Sequence, residues 1–264
     1  MVYPHLRSGI DLKIKIKQHI FTQYLIRQFA INKRVWVAFL PSWEVSDKRF
    51  DWGGSKVFRK WSHAAEIAAS SYENEFHRKV VRARKENVFR SHRIANEYYA
   101  IWYVKSYLMK NELPDLDLHG NVAGYELKNS ELEILESKGM TSIPEVNSKA
   151  VSRGIDRTHV QMMMHVRYLL SGMKSVRWQL VIAPDDSFVA PMSAPNSLLI
   201  PIAHNRLLCG FPEGVKHKPH YTENAEDILR LNREMVKSEE NWVVSRSRNN
   251  LLDFRRGNSY RALL

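Results

Sequence analysis

The stretch from Val176 to Phe211, "VRWQLVIAPDDSFVAPMSAPNSLLIPIAHNRLLCGF", decides the fold class. Its apolar runs "VRWQLVIA", "SFVAPMS", "SLLIPIA" and "RLLCGF" are short and separated by Asp, Pro and Asn, which reads as four strands of a small sheet. Upstream, "KRVWVAFLPSW" (33–43) alternates Val35, Val37 and Phe39 with Trp36 and Ala38 until Pro41 ends a further strand. Downstream, "NWVVSRS" (241–247) adds a last one. Between the two strand regions the pattern is helical, so the chain reads as α+β: a single domain with a helical middle and a small mixed or antiparallel sheet of N-terminal and C-terminal strands. The expectation is one domain over 1–246, with strands near 33–40 and 176–210 in a common sheet, and a poorly ordered basic tail over 247–264.

The middle supports this. "SHAAEIAASSYENEFHRKVVRARKEN" (62–87) has a stripe at Ile67, Tyr72, Phe76, Val80 and Ala83. "SHRIANEYYAIWYVKSYLMKN" (91–111) is the clearest helix, with Ser91 as cap and Ile94, Tyr98, Ile101 and Leu108 on one face. "SELEILESKGM" (130–140) reads as a short acidic helix, and 143–175 as further helix closing near Gly172. "TENAEDILRLNREMVKSEE" (222–240) is helical with Thr222 as N-cap and Ile228, Leu231 and Met235 inward. "SDKRFDWGGSK" (46–56) reads as a turn-rich loop.

The 264 residues, 44% hydrophobic and 26% charged, have the balance of a chain that buries a substantial core. The one cysteine, Cys209, lies in an apolar run, which reads as a core thiol, excludes an intramolecular disulfide and suits a reducing compartment. No run approaches a membrane span and the N-terminus lacks a signal peptide's apolar centre, so the expected location is the cytoplasm. The strongest global signal is the formal net charge of +12, which attracts polyanions through the summed surface potential.

Two arrays concentrate that charge. "KIKIKQHIFTQYLIRQF" (13–29) opens with Lys13, Lys15 and Lys17 on one side of a strand, about 7 Å apart, and turns helical from Gln18. Such a row suits a phosphate backbone, and equally protects an edge strand from aggregation. "HRKVVRARKENVFRSHR" (77–93) places Arg78, Arg82 and Lys85 on one helix face at i, i+4, i+7. Candidate nucleic-acid contacts are therefore Lys13, Lys15, Lys17, Arg78, Arg82 and Lys85.

Catalytic signals are sparse. His19, beside the lysine row, with Arg27 as electrostatic partner, is the weak candidate for acid–base chemistry; Glu66, Glu73 or Glu75 from the neighbouring helix would supply a carboxylate. His159 and His165 stand six residues apart, about 600° of helical rotation, and so point roughly 120° away from each other. His217 and His220 lack companion ligands, and Asp185–Asp186 reads as a turn. No phosphate-binding or dinucleotide-binding glycine loop occurs. No metal or cofactor is expected.

Several segments in order resemble a bacterial domain-of-unknown-function family, number four-two-three-eight. Its Gln-His…Leu/Ile-Arg-x-Phe opening falls on Gln18, His19, Tyr24, Arg27 and Phe29, and "SYENEFHRKVV", "ANEYYAIWYVKS", "FVAPMSAP", "LLIPIAHNRLL" and "LNREMVKSEENWVVS" are similar to its later landmarks, over about 13–246. This chain departs from it by lacking the proline after the Gln-His and an acid in Pro191–Pro195. The resemblance implies the fold and a bacterial or mobile-element setting, and no reaction. The expected function is that of a non-enzymatic nucleic-acid-associated protein of a mobile element or phage-defence system. The alternatives are a nuclease-like hydrolase using His19 and Arg27, and an inhibitor docking on an acidic phage or host protein.

Overall fold

The computed structural model describes residues 17–259 except 41, 54–56, 59, 119–123, 139, 141, 147, 213–218 and 238. In chain order the first elements are β1 (Lys17–Gln18), α1 (Gln23–Arg27), β2 (Arg34–Phe39), β3 (Glu44–Arg49), β4 (Val57–Phe58), α2 (His63–Glu86) and α3 (His92–Lys110). Next come β5 (Leu116–Asp117), α4 (Asn129–Ser137), β6 (Glu145–Val146), β7 (Lys149–Ser152) and α5 (Gly154–Gly172). The C-terminal part holds β8 (Arg177–Ile182), β9 (Ala190–Pro191), β10 (Leu199–Ala203), β11 (Arg206–Phe211), β12 (His220–Tyr221), α6 (Ala225–Val236), β13 (Trp242–Ser245) and α7 (Arg248–Ser259). The class is α+β.

The common sheet expected from the sequence is instead two four-stranded sheets, ordered β3-β2-β13-β9 and β10-β11-β8-β12. Only β9, cut to two residues by prolines 191 and 195, takes strand residues of 176–210 into the first sheet, through β13. β12 runs parallel to β8, so the second sheet is mixed. Both sheets nevertheless share their packing. Alternate residues of each point to one core, formed by Val35, Val37, Val244, Trp178, Leu180, Ile200 and Leu208 against α2, α3 and α5. The residues between them, among them Ala38, Val243, Val181, Leu207 and Cys209, face a second core closed by Met235 of α6 and Leu251 of α7. Covering on both faces explains why "RLLCGF" is apolar without interruption.

Further differences have local causes. Ser46–Arg49, from the start of the stretch expected as loop, belong instead to β3 (Glu44–Arg49), whose polar residues tolerate an edge position while pairing with β2. Glu145–Val146 and Lys149–Ser152, expected as helix, are instead the antiparallel strands β6 and β7. α5 then starts at Gly154, where a Cβ would lie 1.8 Å from the Leu113 carbonyl oxygen, and its amide donates to Asp115 Oδ1 at 2.7 Å. Asn224, not Thr222, caps α6 by accepting from the Glu226 amide. Ser91 sits at the N-cap of α3 without a side-chain capping bond. Ile67 of the expected stripe is 60% exposed, its place taken by Ala65, Ala69 and Glu73. The segment expected as a poorly ordered tail is helical over Arg248–Ser259, anchored by Leu251.

Helix does not start at Gln18, which belongs to β1; its buried side chain donates to the Trp61 carbonyl at 2.5 Å and accepts from the Lys60 amide at 2.8 Å. The Gln-His pair thus ties the N-terminal strand to the entrance of α2, whose Ser62 cap accepts from the Ala65 amide.

Candidate nucleic-acid interface

α2 ends because Asn87 adopts the left-handed conformation, φ 52°, after two basic residues in the last turn, Arg84 and Lys85, that complement the helix dipole. Arg78, Arg82 and Lys85 are all exposed on the face predicted for them. Arg82 Nε lies 2.7 Å from Glu86 Oε1, an exposed i,i+4 pair. Such a pair contributes little to stability and leaves the guanidinium available to another anion.

The chain then folds back over Val88–Ser91 into α3. Phe89 is buried in the main core beside Phe76, at 6.2 Å between ring centroids, and this fixes the return. Two hollows flank the link. One, of about 260 Å³, lies between the last turns of α2 and the link and is lined by Lys79, Arg82 and Arg90. The other, of about 400 Å³, lies at the start of α3 and is lined by Arg90, Arg93 and Arg177. Arg90 and Ser91 border both, so the hollows adjoin at these two residues and together make up the groove.

Arg177 enters the groove from β8, far away in sequence. It is placed there by the Trp178 amide, which donates to His92 Nδ1 at 3.0 Å, and by the Trp178 indole, which donates to Asn96 Oδ1 at 2.6 Å. Asn96 in turn donates to the Met173 carbonyl at 2.8 Å, so the end of α5, the start of β8 and α3 are stitched together. Arg93 pairs with Glu97 at 2.6 Å. Burial raises the Glu97 pKa, against the opposing pull of Arg93. The groove and the α2 face beside it carry Arg78, Lys79, Arg82, Lys85, Arg90, Arg93 and Arg177; Glu86 and Glu97 are each held by one of these cations, and Glu75 stands close enough to Glu97 to raise it further. The excess of cations over carboxylates leaves a face that favours a polyanion.

Of the other sequence candidates, Lys13 and Lys15 lie outside the described residues; Lys17 pairs with Phe58 in the two-stranded β1–β4 ladder. His19 follows β1, half-buried, with its carbonyl oxygen accepting from Lys105 Nζ at 3.2 Å. Arg27 closes α1 and lies over the Phe50 ring at 4.7 Å. Two of the carboxylates considered as partners for His19 are engaged elsewhere: Glu73 and Glu66 approach Lys105 Nζ at 2.7 and 3.3 Å, and Glu66 also accepts from the Trp61 indole. Burial pulls the Lys105 pKa down, but these carboxylates outweigh it and the net shift is upward. Glu73 is raised, burial exceeding the attraction of Lys105. Cys209 is a buried thiol pushed up to about 12 by burial, as expected of a core residue.

His159 and His165 sit on α5, and His217 lies outside the described residues. Among the described residues no group of three or more His, Cys, Asp or Glu is arranged to hold a metal ion, and no helix is long and apolar enough to cross a membrane. The sequence run 77–93 pointed to most of the groove; Arg177 had no local signal, because only the β8–α3 contact brings it there. No protein-family model, no curated protein and no solved structure matches the chain.

Proposed function

We propose that the protein binds the phosphate backbone of nucleic acid along the exposed face of α2 and the groove that continues it. The observation that carries this is the continuity of the basic side chains from Arg78 through Arg82 and Arg90 to Arg93 and Arg177. The aromatic residue of the link, Phe89, is buried rather than offered as a stacking platform, which favours backbone contact over base recognition. Each neutralised phosphate releases counterions, so about six contacts cost roughly a thousandfold in affinity between 50 and 200 mM salt. Fluorescence anisotropy with labelled single- and double-stranded oligonucleotides over that range is the test. Replacing Arg78, Arg82 and Lys85 with Ala flattens the dependence if this face is used. Salt-insensitive binding, or none at the lowest salt, refutes the reading.

A further inference from the structure

A second set of guanidinium groups gathers on the opposite edge of α2. Arg84 is two residues beyond Arg82, about 200° around the helix, and donates to Gln28 Oε1. Three residues on, Asn87 Oδ1 accepts from Arg206 Nη2 at 3.0 Å, while Asn205 Oδ1 accepts from Arg206 Nη1 at 2.8 Å. The Arg206 Nε–H is shielded from solvent and has no hydrogen-bond partner among the described residues. From the far side Arg246, just past β13, reaches in. Its Nη1 lies 2.6 Å from His204 Nε2 and its Nε 3.3 Å from Asp186 Oδ1.

These contacts set charge as well as position. The Arg246 bond to Nε2 is shorter than the 3.3 Å approach of the Asp186 amide to Nδ1. Both ring nitrogens of His204 thus face donors, Nε2 the Arg246 guanidinium and Nδ1 the Asp186 amide, while Asp186 Oδ1 lies 3.5 Å from Nδ1. Burial and Arg246 both hold His204 below its ordinary pKa. Asp186 Oδ1 lies within ion-pair distance of Arg246 and His204, although neither it nor Arg246 Nε has a hydrogen-bond partner among the described residues; Asp185 is largely exposed and accepts from Asn205. Arg206, by contrast, is gripped by two amide oxygens. Amides orient a guanidinium without neutralising it; burial and then Arg84 disfavour its charge, against the attraction of Asp185. An oriented, sheltered guanidinium with a spare N–H, beside like charges from other elements, is the arrangement that a tetrahedral oxyanion satisfies.

We propose that Arg84, Arg206 and Arg246, gathered beside His204 where the end of α2 meets the β10–β11 turn, hold a single phosphate group. Guanidinium groups arriving from three elements suit the several oxygens of a phosphate better than a planar carboxylate, which one fork already fills. The phosphate belongs either to a small phosphate ester or to the end of a nucleic-acid strand; the chemistry at the site is the same.

The first test is calorimetric titration with inorganic phosphate at ionic strength held constant with chloride. One site per chain is expected, with Arg206→Gln and Arg84→Gln each weakening binding by roughly tenfold or more, and Lys149→Gln, at an exposed position of β7, leaving it unchanged. Because Arg206 also ties down Asn87 and Asn205, the exposed Arg84 is the variant that tests the site without disturbing the fold. Absence of a saturable site, or affinity unchanged in both Arg84→Gln and Arg206→Gln, overturns the proposal. Competition then identifies the source. A 5′-phosphorylated oligonucleotide that displaces phosphate better than its unphosphorylated twin assigns a strand end, whereas displacement by phenyl phosphate alone assigns a small ester; both uphold the site. Repeating the titration on the protein with Arg78, Arg82 and Lys85 replaced by Ala separates this site from the groove: a site that persists there is not the groove's, so the two readings fail separately.

Discussion

The Lys105 ammonium lies 2.7 Å from the Glu73 carboxylate, and the lysine side chain has no solvent exposure at all. The pair, with Glu66 at 3.3 Å and the His19 carbonyl at 3.2 Å, joins α3 to α2 and to the N-terminal segment. Lys105→Met removes the positive charge and leaves Glu73 buried without compensation, an expected loss of about 3–5 kcal/mol in chemical denaturation. Lys105→Met with Glu73→Leu is expected to recover most of it, because the most deeply buried carboxylate is then gone while Glu66, partly exposed, keeps the bond from the Trp61 indole. A single variant as stable as the parent refutes this account.

His77 links stability to pH. It stacks on Tyr24 at 4.3 Å, meets Thr22 Oγ1 at 2.9 Å and is held at a pKa of about 4 by burial. An unfolded histidine titrates near 6.5, so between these values the unfolded chain binds the extra proton. Its contribution is complete above about pH 6.5 and falls away as pH drops towards 4, a loss on the order of 3 kcal/mol. His77→Phe is expected to flatten that part of the stability–pH profile. An unchanged slope between pH 6.5 and 4 contradicts the assignment.

The groove predicts a graded effect. Alanine at Arg90, Arg93 and Arg177 together should lower the magnitude of the log–log salt slope on duplex DNA by about 0.9 for every phosphate that is no longer neutralised. Circular dichroism should be unchanged, since Arg93 is exposed and its pair with Glu97 is a surface one. An unchanged slope removes these residues from the interface.

The C-terminal helix predicts a cost where the sequence suggests none. Leu251 has 0% exposure, against the second core. Leu251→Ala is expected to destabilise by about 2–5 kcal/mol. A thermal midpoint equal to the parent's shows that α7 is not part of the folded core.

What was legible in the sequence follows periodicity. α3, β2, β8, β10, β11 and β13 carry strong apolar patterns, and each occurs where that pattern lies. β3 was not legible because Val45 is the one apolar residue of Glu44–Arg49, too little for an alternating pattern; the strand is held by pairing with β2 and by Val45 against the second core. α7 was hidden because its many basic residues mask the one inward leucine. Two sheets looked like one because apolar runs show that strands exist but not which neighbour they take. At the interface, a local charge run exposed Arg78, Arg82 and Lys85. The remote members, Arg177 in the groove and Arg206 and Arg246 in the second cluster, are assembled only by tertiary structure.

The ladder between β2 and β13 pairs Trp36 with Ser245 and Phe39 with Trp242. Its partners stand about 200 residues apart along the chain. The β2–β3 hairpin forms from neighbours, yet its inner edge must wait until those intervening residues have been made before β13 arrives to cover it. Closing so long a loop is slow relative to helix formation. During synthesis, therefore, an apolar strand edge stands open while that whole stretch is being added. Such an edge is a site for mispairing and for chaperone capture.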